Sequence, residues 1–248
     1  MQKKYELLKD DTKEYLGRTL YRIKALISFG AVVAGELGGY IEAEKNLDQS
    51  GNAWVCGNAR VFGNAEVYGN ARVFGNAEVY GNAEVYGNAE VYGNAEVYGN
   101  AEVYGNAWVY GNAWVCGNAR VFGNARVYGN ARVYGNARVY GNARVYGNAR
   151  VYGNARVYGN ARVYGNARVS SCAIVSERKM IFWASNVGTE NGTLTVFNGK
   201  DDLIVTRGCF TGTVDEFLAK SAKVHDEKTK REYQLLIEVA KSRILGAD

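Results

Sequence analysis

Few residues in this 248-residue chain could do covalent chemistry, and their placement limits what that chemistry could be. His225 is the one histidine, and the cysteines are Cys56, Cys116, Cys172 and Cys209. The cysteines form no CxxC pair and no metal-ligand spacing, so they read as reduced structural thiols. A Cys209 thiolate with His225 as its base is the one dyad to weigh, because Gly208-Cys209-Phe210 precedes a helix whose N-terminus would lower a thiol pKa. His225, however, falls at the far end of that helix, twelve residues beyond its expected cap at Thr213. No Gly-x-x-x-x-Gly-Lys phosphate loop is present either. No catalytic, cofactor-binding or metal-binding residue is therefore expected. The chemistry in abundance is non-covalent: Glu, Arg, Trp and Tyr recurring at a spacing of six.

A repeat positions these side chains. From Gly51 to Ser170 the chain is twenty consecutive copies of Gly-Asn-Ala-X-Val-Z, and residues 171–176 are a degenerate twenty-first. X is Arg, Glu or Trp; Z is mostly Tyr, with three Phe, two Cys and a final Ser. A period of six would scatter Val around an α-helix, whereas it suits a short strand followed by a turn. Strand alternation sends Val inward and X and Z outward. Gly-Asn is read as the corner, because both residues tolerate positive φ, and Ala beside it leaves the interior uncrowded.

An aliphatic residue followed four positions later by a small one resembles the hexapeptide signature of left-handed β-helices, in which three hexapeptides make one triangular coil of 18 residues. The resemblance implies an all-β solenoid, a left-handed parallel β-helix of about seven triangular coils. The same superfamily includes acyltransferases, which use a histidine base and a loop projecting from the coils, and carbonic anhydrases, which need several histidine ligands. Here the repeats hold no histidine and no interrupting loop, so an acyltransferase is a minor alternative and a non-enzyme the expectation.

The flanks carry a second resemblance. Leu20-Tyr-Arg-Ile-Lys-Ala-Leu26, Gly35-Glu-Leu-Gly-Gly-Tyr-Ile-Glu42, Glu44-Lys-Asn-Leu47 and Gly51-Asn-Ala-Trp-Val55 are similar to the segment leading into the first coil of phage and prophage hexapeptide-repeat proteins. Gly192-Thr-Leu-Thr-Val196, Arg207-Gly-Cys-Phe-Thr-Gly-Thr213, Asp215-Glu-Phe217 and His225 resemble a small C-terminal module of phage-type proteins. Together these imply a phage or prophage setting and a division into an N-terminal β cap (1–50), a β-helix (51–176) and a small α+β module (177–248). Read residue by residue, the module has β-rich runs at Lys179 to Ser185, Gly192 to Asn198 and Leu203 to Arg207, with Asn-Gly turn signals between them. Thr213 with Glu216 and Thr229 with Glu232 form capping boxes for two amphipathic helices.

If residues 18 apart stack, three outer rows follow. One runs Glu66, Glu84, Glu102, Arg120, Arg138, Arg156. A second runs Arg60, Glu78, Glu96, Trp114, Arg132, Arg150, Arg168, and the third Trp54, Arg72, Glu90, Trp108, Arg126, Arg144, Arg162. The Z positions form aromatic rows, among them Tyr128, Tyr134, Tyr140, Tyr146, Tyr152 and Tyr158. Cys56 and Cys116 fall in different rows and should not form a disulfide. Residues 51–104 carry a balance of −4 and residues 105–170 of +9, so the overall +5 conceals an acidic half and a basic half. Seventeen exposed rings and nine unopposed arginines suggest that something covers part of this surface.

These features favour a scaffold that binds a protein partner or itself, with Trp54, Trp108, Trp114 and the Tyr rows supplying contact area and the Glu/Arg division supplying orientation. Nucleic-acid binding by the Arg and Tyr rows, or inhibition of a host defence protein by DNA-mimicking Glu rows, is the alternative. Ice or crystal-surface binding lacks its threonine rows. The longest apolar stretch, Ala25 to Ile41, is broken by Ser28, Gly30, Gly35, Glu36, Gly38 and Gly39, so no membrane partner is expected and the location is read as cytoplasmic, that of the host cell if the protein is phage-encoded.

Overall fold

The computed structural model describes residues 2–246. The repeats form a parallel β-solenoid of about eight turns, with two-residue strands from Trp54–Val55 to Ile174–Val175 stacked into three sheets. Each X pairs with the X 18 residues on, and each Val with the next Val, as in Glu90↔Trp108 and Val91↔Val109. The core is a column of Val and Ala, every one fully buried from Ala53 to Val175.

Seven turns come from the repeats; the eighth comes from the segment read as a cap. Strand β3 (Leu37–Ile41) pairs in parallel with Arg60–Val61, and Leu47 bridges Val67, so residues 37–50 already lie in the coil path. Ile41 and Leu47 take the place of Val and are fully buried. Strands β1 (Tyr5–Tyr15) and β2 (Arg18–Ala25) form a hairpin that extends the same sheet.

Solenoid ends need specific caps because each end turn leaves a set of backbone groups without a neighbouring turn. In the interior repeats, besides the bonds within the paired strands, the N–H groups of Asn, X and Z donate to the Gly, Ala and Val carbonyls of the following turn, for example Asn106 to Gly123, Trp108 to Ala125 and Tyr110 to Val127 at 2.8–3.0 Å. The N-terminal end therefore presents mainly carbonyls, which are costly to bury unpaired. Its cap supplies donors: Asn46 Nδ2 to Ala65 O (2.8 Å) and Lys4 Nζ to Ala53 O (3.0 Å), while the Tyr5 hydroxyl donates to Leu47 O (2.6 Å). Burial lowers the Lys4 pKa to about 8. At the C-terminal end both groups of Arg168 are capped by the module: Thr195 Oγ1 accepts from Arg168 N at 3.1 Å and the Thr206 hydroxyl donates to Arg168 O at 2.8 Å.

The corners differ from the sequence reading. Glycine alone takes positive φ there, between 58° and 75° from Gly51 to Gly165, and no repeat Asn does. In the degenerate repeat Ser171 is forced into the same region, at φ 56°. Asparagine instead builds ladders: each Nδ2 donates to the Oδ1 of the Asn 18 residues on, as Asn88 to Asn106 at 3.1 Å. Trp54 is the second departure. An X residue should point to water, yet Trp54 is 2 % exposed, because Tyr5 and Phe29 of the cap pack edge-on against it.

The C-terminal module is a four-stranded antiparallel sheet, Ile181–Val187, Gly192–Asn198, Leu203–Arg207 and Phe210–Thr213, covered by α1 (Val214–Val224) and α2 (Glu227–Leu245). The capping box of Thr213 and Glu216 opens α1 as read. Helix α2 starts three residues earlier than expected, because Asp226 caps it: its carboxylate accepts from Thr229 N at 2.7 Å. None of the helices is long and apolar enough to cross a membrane among the described residues.

Candidate functional surface: the charged rows and aromatic ladders

The rows are built as the spacing requires. The face formed by Glu66, Glu84, Glu102, Arg120, Arg138 and Arg156 is a single sheet, with Glu102 paired beside Arg120 and Arg138 beside Arg156. Trp114, Arg132, Arg150 and Arg168 share the second face. Trp108, Arg126, Arg144 and Arg162 share the third.

The Z rings stack. Tyr68, Tyr86, Tyr104, Phe122, Tyr140 and Tyr158 form one ladder with centroids 4.8–5.0 Å apart and planes within 5°. Phe74, Tyr92, Tyr110, Tyr128, Tyr146 and Tyr164 form a second, and Tyr134 stacks on Tyr152 in the third. This corrects the expectation of exposed rings. Each ring covers its neighbours' faces, so the ladders show edges and hydroxyls to water, and Tyr164 alone among them is classed as exposed.

The two halves treat their charges differently. In the acidic half the three tyrosines that precede a glutamate by 16 residues reach it in the next turn: Tyr68 donates to Glu84 (2.8 Å), Tyr80 to Glu96 (2.9 Å) and Tyr86 to Glu102 (3.4 Å). The cap takes part as well, since Tyr15 donates to Glu78 at 2.8 Å and the Arg60 guanidinium lies 4.0 Å from the Tyr15 ring centroid. Burial, then the glutamate bond, raises the Tyr68 and Tyr80 hydroxyls well above the usual value; burial, then the Glu102 charge, pushes Tyr86 up to about 12.

At the change of sign each face has its own junction. Arg120 pairs with Glu102 at 2.8 Å on the first. On the other two, Arg132 lies 4.1 Å over Trp114 and Arg126 4.3 Å over Trp108. Beyond the junction, Arg138, Arg144, Arg150, Arg156 and Arg162 have no ion pair among the described residues. The last of these arginines opens into a cleft of about 640 Å³ between solenoid and module, lined by Arg162, Arg178, Lys179 and Arg243 with Tyr146, Tyr164 and Trp183.

Cys209 and His225 come closer than the sequence suggested. Both line a cavity of about 360 Å³ with Phe210, Phe217 and Tyr233, although no hydrogen bond joins them. The His225 ring packs edge-on against Tyr233 at 5.4 Å. All four cysteines are free thiols.

The Asn ladders and the tyrosine–glutamate bonds escaped the sequence reading. Both were encoded in the 18-residue stacking, since Asn sits at i and i+18 and each Z lies 16 residues before the X it meets.

Stacked two-residue strands, a Val/Ala column and capped ends define a β-solenoid repeat protein. Comparison with known families agrees: nine stretches match the YdcK beta solenoid repeat, the first at 65–81 and the other eight overlapping one another between residues 101 and 177. No curated protein matches the chain.

Proposed function

We propose that the protein is a non-catalytic solenoid scaffold that self-associates side by side and antiparallel through the face running from Glu66 to Arg156. The observation that carries this reading is the order of that row, three glutamates followed by three arginines at a constant rung spacing. A two-fold axis between Glu102 and Arg120 sets Glu66 against the partner copy's Arg156, Glu84 against its Arg138 and Glu102 against its Arg120. Such an isologous contact closes as a dimer. The other two rows do not have this symmetry: a two-fold axis at Trp108 opposes Arg72 to Arg144, and one at Trp114 opposes Arg60 to Arg168. Among the described residues neither cap makes a hydrogen bond or ion pair to the side chains of the Glu66–Arg156 row, although Glu44, Lys45 and Asp48 line a groove beside Glu66.

Exposed ion pairs are worth about 0–1 kcal/mol each, so the charges set register and orientation more than affinity. The association is accordingly weak and salt-sensitive. The matched repeat is what selects a solenoid partner: the ladders rise 4.8–5.0 Å per turn on this face, whereas phosphates rise about 3.4 Å per nucleotide along one duplex strand. A phage or prophage setting and a cytoplasmic location remain part of this reading through the resemblance of the flanks.

The test is charge reversal followed by light scattering at low and high salt. Reversal of either triple alone, E66R/E84R/E102R or R120E/R138E/R156E, abolishes the dimer. All six reversals together restore it, because the row is again antisymmetric. A wild-type chain that stays monomeric at low salt, or six reversals that fail to rescue, overturns the reading.

The basic cleft at Arg162, Arg178, Lys179 and Arg243 favours a second reading, an anionic nucleic acid bound along the arginine half. A monomer that shifts in mass only when single-stranded or duplex DNA is added would move the assignment there.

A further inference from the structure

The third aromatic ladder lacks one ring. Phe62, Tyr80 and Tyr98 stack at 4.9–5.0 Å, and Tyr134 and Tyr152 stack at 5.0 Å. Between Tyr98 and Tyr134 the rung is Cys116, and the step between rings is doubled. The backbone does not move to close the gap: Trp114 and Val115 keep their places between the strands before and after, and Cys116 N donates to Val133 O at 2.9 Å, as tyrosine does in other repeats. The missing ring leaves a cavity of about 200 Å³ bounded by the Tyr98 and Tyr134 rings, the Cys116 thiol, Trp114, Arg132 and Arg150.

We infer that this vacant rung is a binding slot for a planar aromatic ring carrying an anionic group. Its height is that of one ring in a stack, which excludes bulky aliphatic groups and gains a stacking contact on each face of the guest. The two flanking tyrosines are held in place by the same ladder that continues on either side of them, so the slot is formed before the ligand arrives and little ordering cost remains. Its rim is cationic. Arg132 is already oriented, 4.1 Å over the Trp114 ring, and Arg150 lies one rung further along the same face. No acid lines the cavity. The thiol takes no chemical part: its contribution is to be smaller than tyrosine.

The same chemistry could be offered by a free nucleotide or by a base of a nucleic-acid strand. The experiment therefore titrates the full chain with AMP, with ribose 5-phosphate as a ring-free control, and with a short oligo-dA strand, followed by calorimetry. Three proteins are compared. In Cys116→Tyr the missing rung is rebuilt with the residue most repeats carry, so the variant folds and fills the slot; Cys116→Ala leaves the slot open without the thiol.

The expected result is AMP binding to wild type and to Cys116→Ala with one site per chain, at least tenfold weaker binding to Cys116→Tyr, and none of ribose 5-phosphate. Tighter binding of oligo-dA than of AMP, with the same loss in Cys116→Tyr, assigns the source as a strand. Equal AMP binding by wild type and Cys116→Tyr, or no AMP binding to wild type at millimolar concentration, overturns the slot. Because this site lies outside the Glu66–Arg156 row, the outcome is independent of whether the chain dimerises.

Discussion

Gly and Asn share each corner of the solenoid but do different work. Gly105 sits at φ 71°, and a Cβ there would lie 3.0 Å from Gly123 N, against backbone that cannot give way. The left-handed conformation alone costs an L-residue roughly 1–2 kcal/mol. Asn106, by contrast, has no positive φ and spends its side chain on exposed ladder bonds to Asn88 and Asn124 at 3.1 and 3.2 Å. Gly105→Ala is therefore expected to destabilise by about 1–3 kcal/mol, and Asn106→Ala by less than ~1 kcal/mol. Urea unfolding of both variants checks the order. Equal losses would mean that the asparagine, too, is needed for the turn itself. From sequence alone the two could not be separated, because both residue types tolerate positive φ; it took the backbone to show that one glycine per corner suffices.

At the scale of elements, what was legible followed from repetition and what was not followed from its absence. Val inward, Ala at the corner, the three rows and the separation of Cys56 from Cys116 all follow from a period of six and a turn of 18. The flanks have no period. Residues 37–50 gave no repeat to count, so the eighth turn was hidden, although Ile41 and Leu47 do the work of Val. Trp54 kept the repeat's register but not its exposure, because the hairpin that covers it comes from elsewhere in the chain. The ladders themselves are elements with a measurable signature. The Tyr86 and Tyr98 hydroxyls are pushed up to about 12 from an ordinary value of 10.0, burial being the largest cause for both. Between those values the folded chain holds protons that the unfolded chain has lost. Stability is therefore undiminished by these groups below pH 10 and is lost as pH rises from 10 towards 12. Urea midpoints are expected to fall steadily over that interval, and tyrosinate absorbance should appear together with loss of the β-sheet signal. Gradual titration near pH 10 with the sheet intact would show that the rings are not held as a stack.

At the scale of the molecule, a solenoid of near-identical turns makes length a variable separate from fold. Each turn contacts only its neighbours, so stability is close to a sum over turns. Deleting residues 69–86 removes one turn and rejoins Tyr68 to Gly87 in register. Glu96 then occupies the place of Glu78 beneath Tyr15 and Arg60, and the hairpin keeps its glutamate contact. The shortened chain should fold, with an unfolding midpoint lowered by little more than the loss of one interior turn. Its self-association should change far more. The row becomes Glu66, Glu102, Arg120, Arg138, Arg156, no longer antisymmetric. About its Glu102–Arg120 axis only two rungs pair on each side, and Arg156 is left without a glutamate. Light scattering against salt should show a weaker dimer with a shallower salt dependence, while circular dichroism stays that of a solenoid. A deletion that leaves association unchanged would mean that the rods meet elsewhere. One that unfolds the chain would mean that the caps sense solenoid length, which nearest-neighbour stacking does not allow.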